Sequence, residues 1–254
     1  MRTLKLTVTY DGTNYSGWQR QKNAPSIQQE LEESWEKITG ERITITGSGR
    51  TDSGVHARRQ VCSLATQSAL DCNKLLRAVN GNTPTAISIV SAEEAASDFN
   101  AITHSVQKTY QYYIQSGRIL DPLRERFAWF VPYHLDAAAM HLAAAHFVGE
   151  LDFASFEATG SVRQSTVRTV IECTVEMNRH GPFEEVTVTV TANGFLYNMV
   201  RNIVGTLVLV GRGLESPEWI PWLLDKKDRK LAGQTAPAHG LFMDHVVYRD
   251  ENLG

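Results

Sequence analysis

The chain has 254 residues, with 25 Lys and Arg against 28 Asp and Glu, a net charge of −3 and 42% hydrophobic residues. That length buries a core without disulfides or a structural metal, and the composition is that of a soluble globular protein. An acidic total argues against a protein that coats nucleic acid by bulk charge, while leaving room for a local basic groove.

The first segment alternates, placing Leu4, Leu6, Val8 and Tyr10 on one face of a strand that stops at Asp11-Gly12. This pattern is a strand and not a signal peptide, and no apolar run reaches the length of a membrane span. A polar loop with Tyr15, Gly17, Trp18, Arg20 and Lys22 follows. A helix is predicted from Ser26 to Gly40, with Ser26 and Gln29 at capping-box spacing and an apolar stripe of Ile27, Leu31, Trp35 and Ile38. Strands are predicted over 42–46 and 61–66 with a Gly-rich loop between them, then a short helix over 71–79 and a strand over 87–90. Residues 91–108 are polar and lack a sustained apolar period, so the chain is divided into halves 1–104 and 105–254. The second half begins with strands over 109–115 and 127–133, then an Ala-rich helix over 136–147. Two long alternating strands form a hairpin across Asn178 to Pro182. Helices over 196–210 and 217–224 and a closing strand over 243–248 complete it. Strands and helices mix without a βαβ repeat, which predicts an α+β fold of two similar mixed α/β halves.

Cys62, Cys72 and Cys173 are far apart and form no CxxC pair, which points to a reducing, cytoplasmic compartment. No Cys or His spacing matches a zinc site. The densest segment is Gly47-Ser-Gly-Arg-Thr-Asp-Ser-Gly-Val-His-Ala57. It is neither a P-loop nor a dinucleotide fingerprint. It presents Asp52 two residues from Arg50, either as a nucleophile or base held ionised by a guanidinium, or as an Asx-type turn with a surface ion pair. Arg201 sits among apolar neighbours in a stretch with no acid from Ala192 to Gly213. It either snorkels or partners a buried carboxylate such as Asp52. Tyr110 and Tyr112 alternate on one strand, as a core pair or as a platform for a nucleobase.

Taken in order, Tyr10-Asp-Gly-Thr-Asn-Tyr-Ser-Gly-Trp-Gln-Arg-Gln21, Ser26-Ile-Gln28, Gly49-Arg-Thr-Asp-Ser-Gly-Val-His-Ala57, Lys108-Thr-Tyr110, Met199-Val-Arg-Asn-Ile-Val-Gly205, Ala232-Gly-Gln-Thr-Ala-Pro237 and Gly240-Leu resemble the TruA family of tRNA pseudouridine synthases. The resemblance spans nearly the whole chain. It implies two α/β halves with antiparallel sheets flanking a central active-site cleft, a cytoplasmic homodimer, and tRNA as partner, with no cofactor, metal or membrane. It implies isomerisation of uridine to pseudouridine in the anticodon stem-loop, at positions 38, 39 and/or 40. Asp52 matches the essential aspartate, which attacks C1′ or removes a 2′ proton to give a glycal. Tyr110 matches the tyrosine that stacks on the target base, Arg50 the arginine that enters the RNA stack, and Arg201 the arginine paired with the aspartate. Ile102 departs from the family's usual Arg. Two other classes compete: a catalytically inactive RNA-binding module of the same fold, and a carboxylate hydrolase, which needs a second acid near Asp52.

The negative total traces to the 26–40 helix, where Glu30, Glu32, Glu33 and Glu36 face only Lys37. Residues 1–24 and 42–60 each carry +3. The helix therefore reads as a solvated acidic face, and RNA is expected along Arg20, Lys22, Arg58 and Arg59, away from it.

Overall fold

Strict alternation builds the first strand as predicted: β1 (Arg2–Tyr10) buries Leu4, Leu6, Val8 and Tyr10 on one side. In the computed structural model, which describes residues 1–158 and 165–249, the chain divides into two compact units, Met1–Val106 with Phe242–Gly254 and Gln107–Leu241. In the first, α1 (Ile27–Thr39) is capped by Ser26, whose side chain accepts from the Gln29 amide, and closed by Gly40 in the left-handed region at φ 73°. Its stripe of Ile27, Leu31 and Trp35 is buried. Next come β2 (Thr46–Gly47), β3 (His56–Thr66), α2 (Cys72–Asn80) and β4 (Ile87–Ala95).

The strand predicted over 42–46 is not laddered until Thr46. The reason lies on α1. The amide of Ile45 donates to Glu32 Oε1 at 2.9 Å, and its carbonyl accepts from Gln28 Nε2 at 3.0 Å. Both backbone groups that a strand partner would use are taken by helix side chains. Glu32 and Gln28 are themselves buried, so the acidic helix is not simply a solvated face.

In the second unit β5 (Ser105–Ser116), β6 (Trp129–Val131), α3 (Ala137–Ala145), β7 (Gly149–Asp152), β8 (Val167–His180) and β9 (Phe183–Ala192) precede α4 (Met199–Gly211) and α5 (Trp219–Lys226). The β8–β9 hairpin turns at Gly181-Pro182, inside the predicted interval, with Gly181 at φ 61°. β7 is a strand the sequence reading missed; its four residues show no sustained alternation. The strands of this unit run β5, β9, β8, β7 in antiparallel order, with β6 joining β5 in parallel. Apolar cores sit under each sheet: Phe147, Phe153 and Phe156 cluster in this unit with ring centroids 5.1–6.4 Å apart.

The last strand, β10 (Leu241–Tyr248), lies in the first unit and not with the half that precedes it. It pairs in parallel with β3, placing Phe242 opposite His56 and Met243 opposite Ala57. The strands of the first unit thus run β4, β1, β3, β10, antiparallel except for the β3–β10 pair, with β2 also on β3. Both units are mixed α/β, as the α+β reading expects. Among the described residues, no helix is long and apolar enough to cross a membrane.

Burial pushes the Cys62 thiol far up and the Cys173 thiol to about 12, whereas Cys72 is only half-buried. Titration of the native protein with a thiol reagent near neutral pH should therefore label one cysteine rapidly, and three after denaturation.

Candidate active site

Asp52 is set by the chain on either side of it. The Thr51 carbonyl accepts from the Trp18 amide at 3.1 Å, and Thr51 Oγ1 shares a 2.8 Å hydrogen bond with the hydroxyl of buried Tyr10. Burial pushes that phenol well above the ordinary tyrosine value, the Thr51 contact opposing it, so Tyr10 stays neutral. The Asp52 carbonyl accepts from Val55 N at 3.1 Å, closing a tight turn whose third residue, Gly54, has φ 78°. The Gly54 amide in turn donates to the Tyr15 carbonyl at 3.3 Å.

The loop after β1 lies so close that a Cβ on Gly12 would stand 2.0 Å from the Val55 carbonyl oxygen, and one on Gly17 2.3 Å from that of Thr51. From below, Ser48 Oγ donates to Gln60 Oε1 at 2.6 Å while Gln60 Nε2 donates to the Gly49 carbonyl at 2.8 Å. His56, fully buried, stacks on Phe242 at 4.6 Å and has both the Gly12 amide (3.1 Å) and Asp11 Oδ1 (3.2 Å) at its Nδ1. A carboxylate carried on so many fixed backbone groups is preorganised.

In the second unit, Tyr110 on β5 is 8% exposed and meets the edge of Phe195 at 5.0 Å, with the rings at 86°. Tyr112, two residues on, is fully buried; its hydroxyl donates to the Pro237 carbonyl at 2.7 Å, and its ring leaves no room for a Cβ on Gly240. The core reading therefore holds for Tyr112. Arg201, in the first turn of α4, donates from Nε to the Ala236 carbonyl at 2.6 Å and from Nη1 to Asn198 Oδ1 at 2.9 Å. Asn198 caps this helix at φ 59°. The guanidinium is held in one orientation rather than snorkelling freely.

The segment that fixes it, residues 232–237, rests on α4 at Gly205, where a Cβ would stand 1.7 Å from the Gln234 carbonyl oxygen. A polar network holds it there. Arg229 donates from Nη1 to the Gly233 carbonyl and from Nη2 to Asn202 Oδ1, both at 2.8 Å, and from Nη2 to Thr235 Oγ1 at 2.9 Å. Thr235 Oγ1 donates to Asn202 Oδ1 at 2.7 Å, and the Gly233 amide donates to Thr206 Oγ1 at 3.0 Å. Burial draws the Arg229 guanidinium below the ordinary arginine value, though not far enough to deprotonate it.

A family model described as tRNA pseudouridine synthase matches residues 6–102 and 143–249. The chain belongs to that family. It is 46% identical over 248 residues to the tRNA pseudouridine synthase A of Pelobacter propionicus (strain DSM 2379 / NBRC 103807 / OttBd1), covering 98% of this chain and all of that one. It is 41% identical over 248 residues to that of Caldicellulosiruptor saccharolyticus (strain ATCC 43494 / DSM 8903 / Tp8T 6331), with the same coverage. As a tRNA pseudouridine synthase the chain is an isomerase that converts uridine in tRNA to pseudouridine.

The charges expected along the RNA divide into two groups. Arg20 forms a 2.7 Å ion pair with buried Glu32 of α1, so it faces the acidic helix instead of lying away from it. Arg58 lies 4.0 Å from Asp244 and over the Phe242 ring at 5.5 Å. Lys22, Arg50 and Arg59 are exposed and form no ion pair among the described residues. Arg50 is therefore not what holds Asp52. Ile102 is 53% exposed in a turn that Asn100 Oδ1 organises.

The sequence reading missed Asn202, Arg229 and His239. Burial holds the His239 pKa below the ordinary imidazole value, opposed by a backbone hydrogen bond with Ala128 and the Glu125 carboxylate and aided by the Arg201 cation. Asn202 lies inside the Met199–Gly205 motif without having been given a role, and Arg229 and His239 had only their proximity to the Ala232–Pro237 motif as a signal.

Replacing Arg229 with Met strands the Gly233 carbonyl and removes one of the two donors to Asn202 Oδ1. It should lower stability by about 2–3 kcal/mol in urea denaturation, with Thr235→Val costing about 1 kcal/mol.

Proposed function

We propose that this synthase modifies uridines of the tRNA anticodon stem-loop, at positions 38, 39 and/or 40, with Asp52 as its catalytic carboxylate. The observation that supports this reading most is the clamping of the Asp52 turn by Tyr10, Tyr15 and Trp18 on one side and Gln60 on the other. The reaction breaks the bond from N1 to C1′ and forms one from C5 to C1′, and the C5 proton leaves. It needs a carboxylate held at C1′ or at the 2′ hydrogen while the detached uracil turns over.

Arg201, held by Ala236 and Asn198, is the cation assigned to pair with Asp52 and keep it ionised. Tyr110, braced edge-on by Phe195, stacks on the extruded base. Arg50, exposed and without an ion pair among the described residues, enters the space that the base vacates. Lys22 and Arg59 contact the phosphate backbone directly, with Arg20 and Arg58 in support through their exposed halves. The same family likeness supports a homodimer acting in the cytoplasm without metal or cofactor.

Asp52→Asn should keep the circular dichroism spectrum of the wild type and lose at least about 10⁴-fold in pseudouridine formation on unmodified tRNA transcripts, as losses of single catalytic groups do. Product at the wild-type rate would overturn the assignment. With uridine deuterated at C2′, a primary isotope effect assigns the proton-abstraction route, and its absence assigns attack at C1′.

Arg50→Ala should leave the urea midpoint within about 0.5 kcal/mol of wild type while turnover falls at least tenfold. A large fall in stability instead would make Arg50 structural.

A further inference from the structure

The second unit carries a basic pocket that no motif marks. Arg118, Pro132, Tyr133, His134 and Arg212 line a cavity of about 400 Å³. Three features make it a built site. The Tyr133–Leu135 corner is pinned to β5: Ser116 Oγ donates to the Tyr133 carbonyl at 3.2 Å and accepts from the Leu135 amide at 3.0 Å. The Gly117 amide donates to the Tyr133 carbonyl at 2.9 Å. The Arg212 guanidinium lies over the Tyr133 ring at 4.3 Å, while that ring remains 52% exposed.

The acid at the rim, Glu184, is engaged by Arg179 at 3.0 Å and His134 at 3.1 Å. Among the described residues, neither Arg118 nor Arg212 has an acidic partner. Two guanidinium forks beside an exposed aromatic ring suit a phosphate group, which they bind through charge-assisted hydrogen bonds. They do not suit an apolar ligand.

Its location relates to the proposed site. From Tyr110 to Ser116, the end of β5, is six residues and so roughly 20 Å of strand. From Arg201, in the first turn of α4, to Arg212 at its C-cap is eleven residues and so roughly 16 Å along the helix. The pocket lies at the far end of the two elements that carry the base-stacking tyrosine and the partner arginine. A nucleic acid whose target base reaches Tyr110 has its helical backbone available at that distance.

We propose that Arg118, Arg212 and Tyr133 form a docking site for a backbone phosphodiester of the substrate RNA, remote from the modified base. It rests on the reading of Tyr110 and Arg201 given above. Arg212 also caps α4, where a cation favours the helix C-terminus. Arg118 has no such second role, so it is the cleaner probe.

The test is filter binding of unmodified tRNA to the full-length protein across a salt series. Arg118→Ser should weaken binding several-fold and Arg118→Ser/Arg212→Ser roughly tenfold. The slope of log K against log salt should become shallower by about 1 for each arginine that contacts a phosphate. Unchanged affinity and slope in the double variant, with its melting temperature retained, would overturn the proposal. Inorganic phosphate, compared with chloride at equal ionic strength, should weaken tRNA binding to the wild type and leave that of the double variant unchanged. Saturable phosphate binding to the wild type by calorimetry that leaves tRNA affinity unchanged would assign the pocket to free phosphate and overturn the RNA docking role. Pseudouridine formation by the wild type is read separately: its absence would sink the proposed site but leave the binding result to decide the pocket.

Discussion

Backbone meets backbone in this protein at places with no room for a β-carbon, and both candidate faces depend on those contacts. In the first unit Gly12 and Gly17 let the 11–18 loop press on the carbonyls of Val55 and Thr51, the residues that flank the Asp52 turn. In the second, Gly205 lets the 232–237 segment settle on α4, which brings the Ala236 carbonyl to Arg201. A side chain at either place would push the partner backbone away and release the group it orients. Side-chain hydrogen bonds then secure what close approach permits: Tyr10 and Gln60 around the first contact, Arg229 and Asn202 around the second.

Electrostatics follows a similar division between structure and substrate. The acidic surplus of α1 helps organise its own unit, because Glu32 holds the Ile45 amide and the Arg20 guanidinium. A buried carboxylate needs both partners to offset its desolvation. Positive charge committed in this way contributes little to RNA affinity. Cations without an ion pair among the described residues include Lys22, Arg50 and Arg59 in one unit and Arg118 and Arg212 in the other. A chain with a net charge of −3 thus keeps cations for a polyanion without being basic overall.

Much of the fold was legible in the sequence because most elements announce themselves locally. β1 alternates, α1 has its serine cap and apolar stripe, and the β8–β9 hairpin brackets a Gly-Pro turn. Misreadings arose where distant side chains decide the outcome. Nothing near Arg42–Thr46 tells that Gln28 and Glu32 occupy the Ile45 backbone, and nothing near Met243 tells that its strand returns to pair with β3. The motif glycines and Asp52 stood out because close approach and tight turns restrict residue type. Arg229 and Asn202 did not, since a buried network has no fixed spacing. Arg118 and Arg212 are 94 positions apart and meet only through the fold.

The return of β10 to the first unit makes that unit discontinuous in sequence. A ribosome delivers β1, α1, β3 and β4 long before the strand that covers the edge of β3. Until residues 242–248 emerge, His56 lacks the Phe242 ring stacked on it, and the Ala101 carbonyl lacks the Tyr248 hydroxyl. The second unit is contiguous and can close first. The β3 strand that follows the Asp52 turn gains its β10 partner only through residues 242–248, by contacts of long sequence separation that form slowly. Settling of the Asp52 turn is thereby tied to the emergence of residues 242–248, and a nascent chain that has not yet delivered them leaves β3 without its β10 partner.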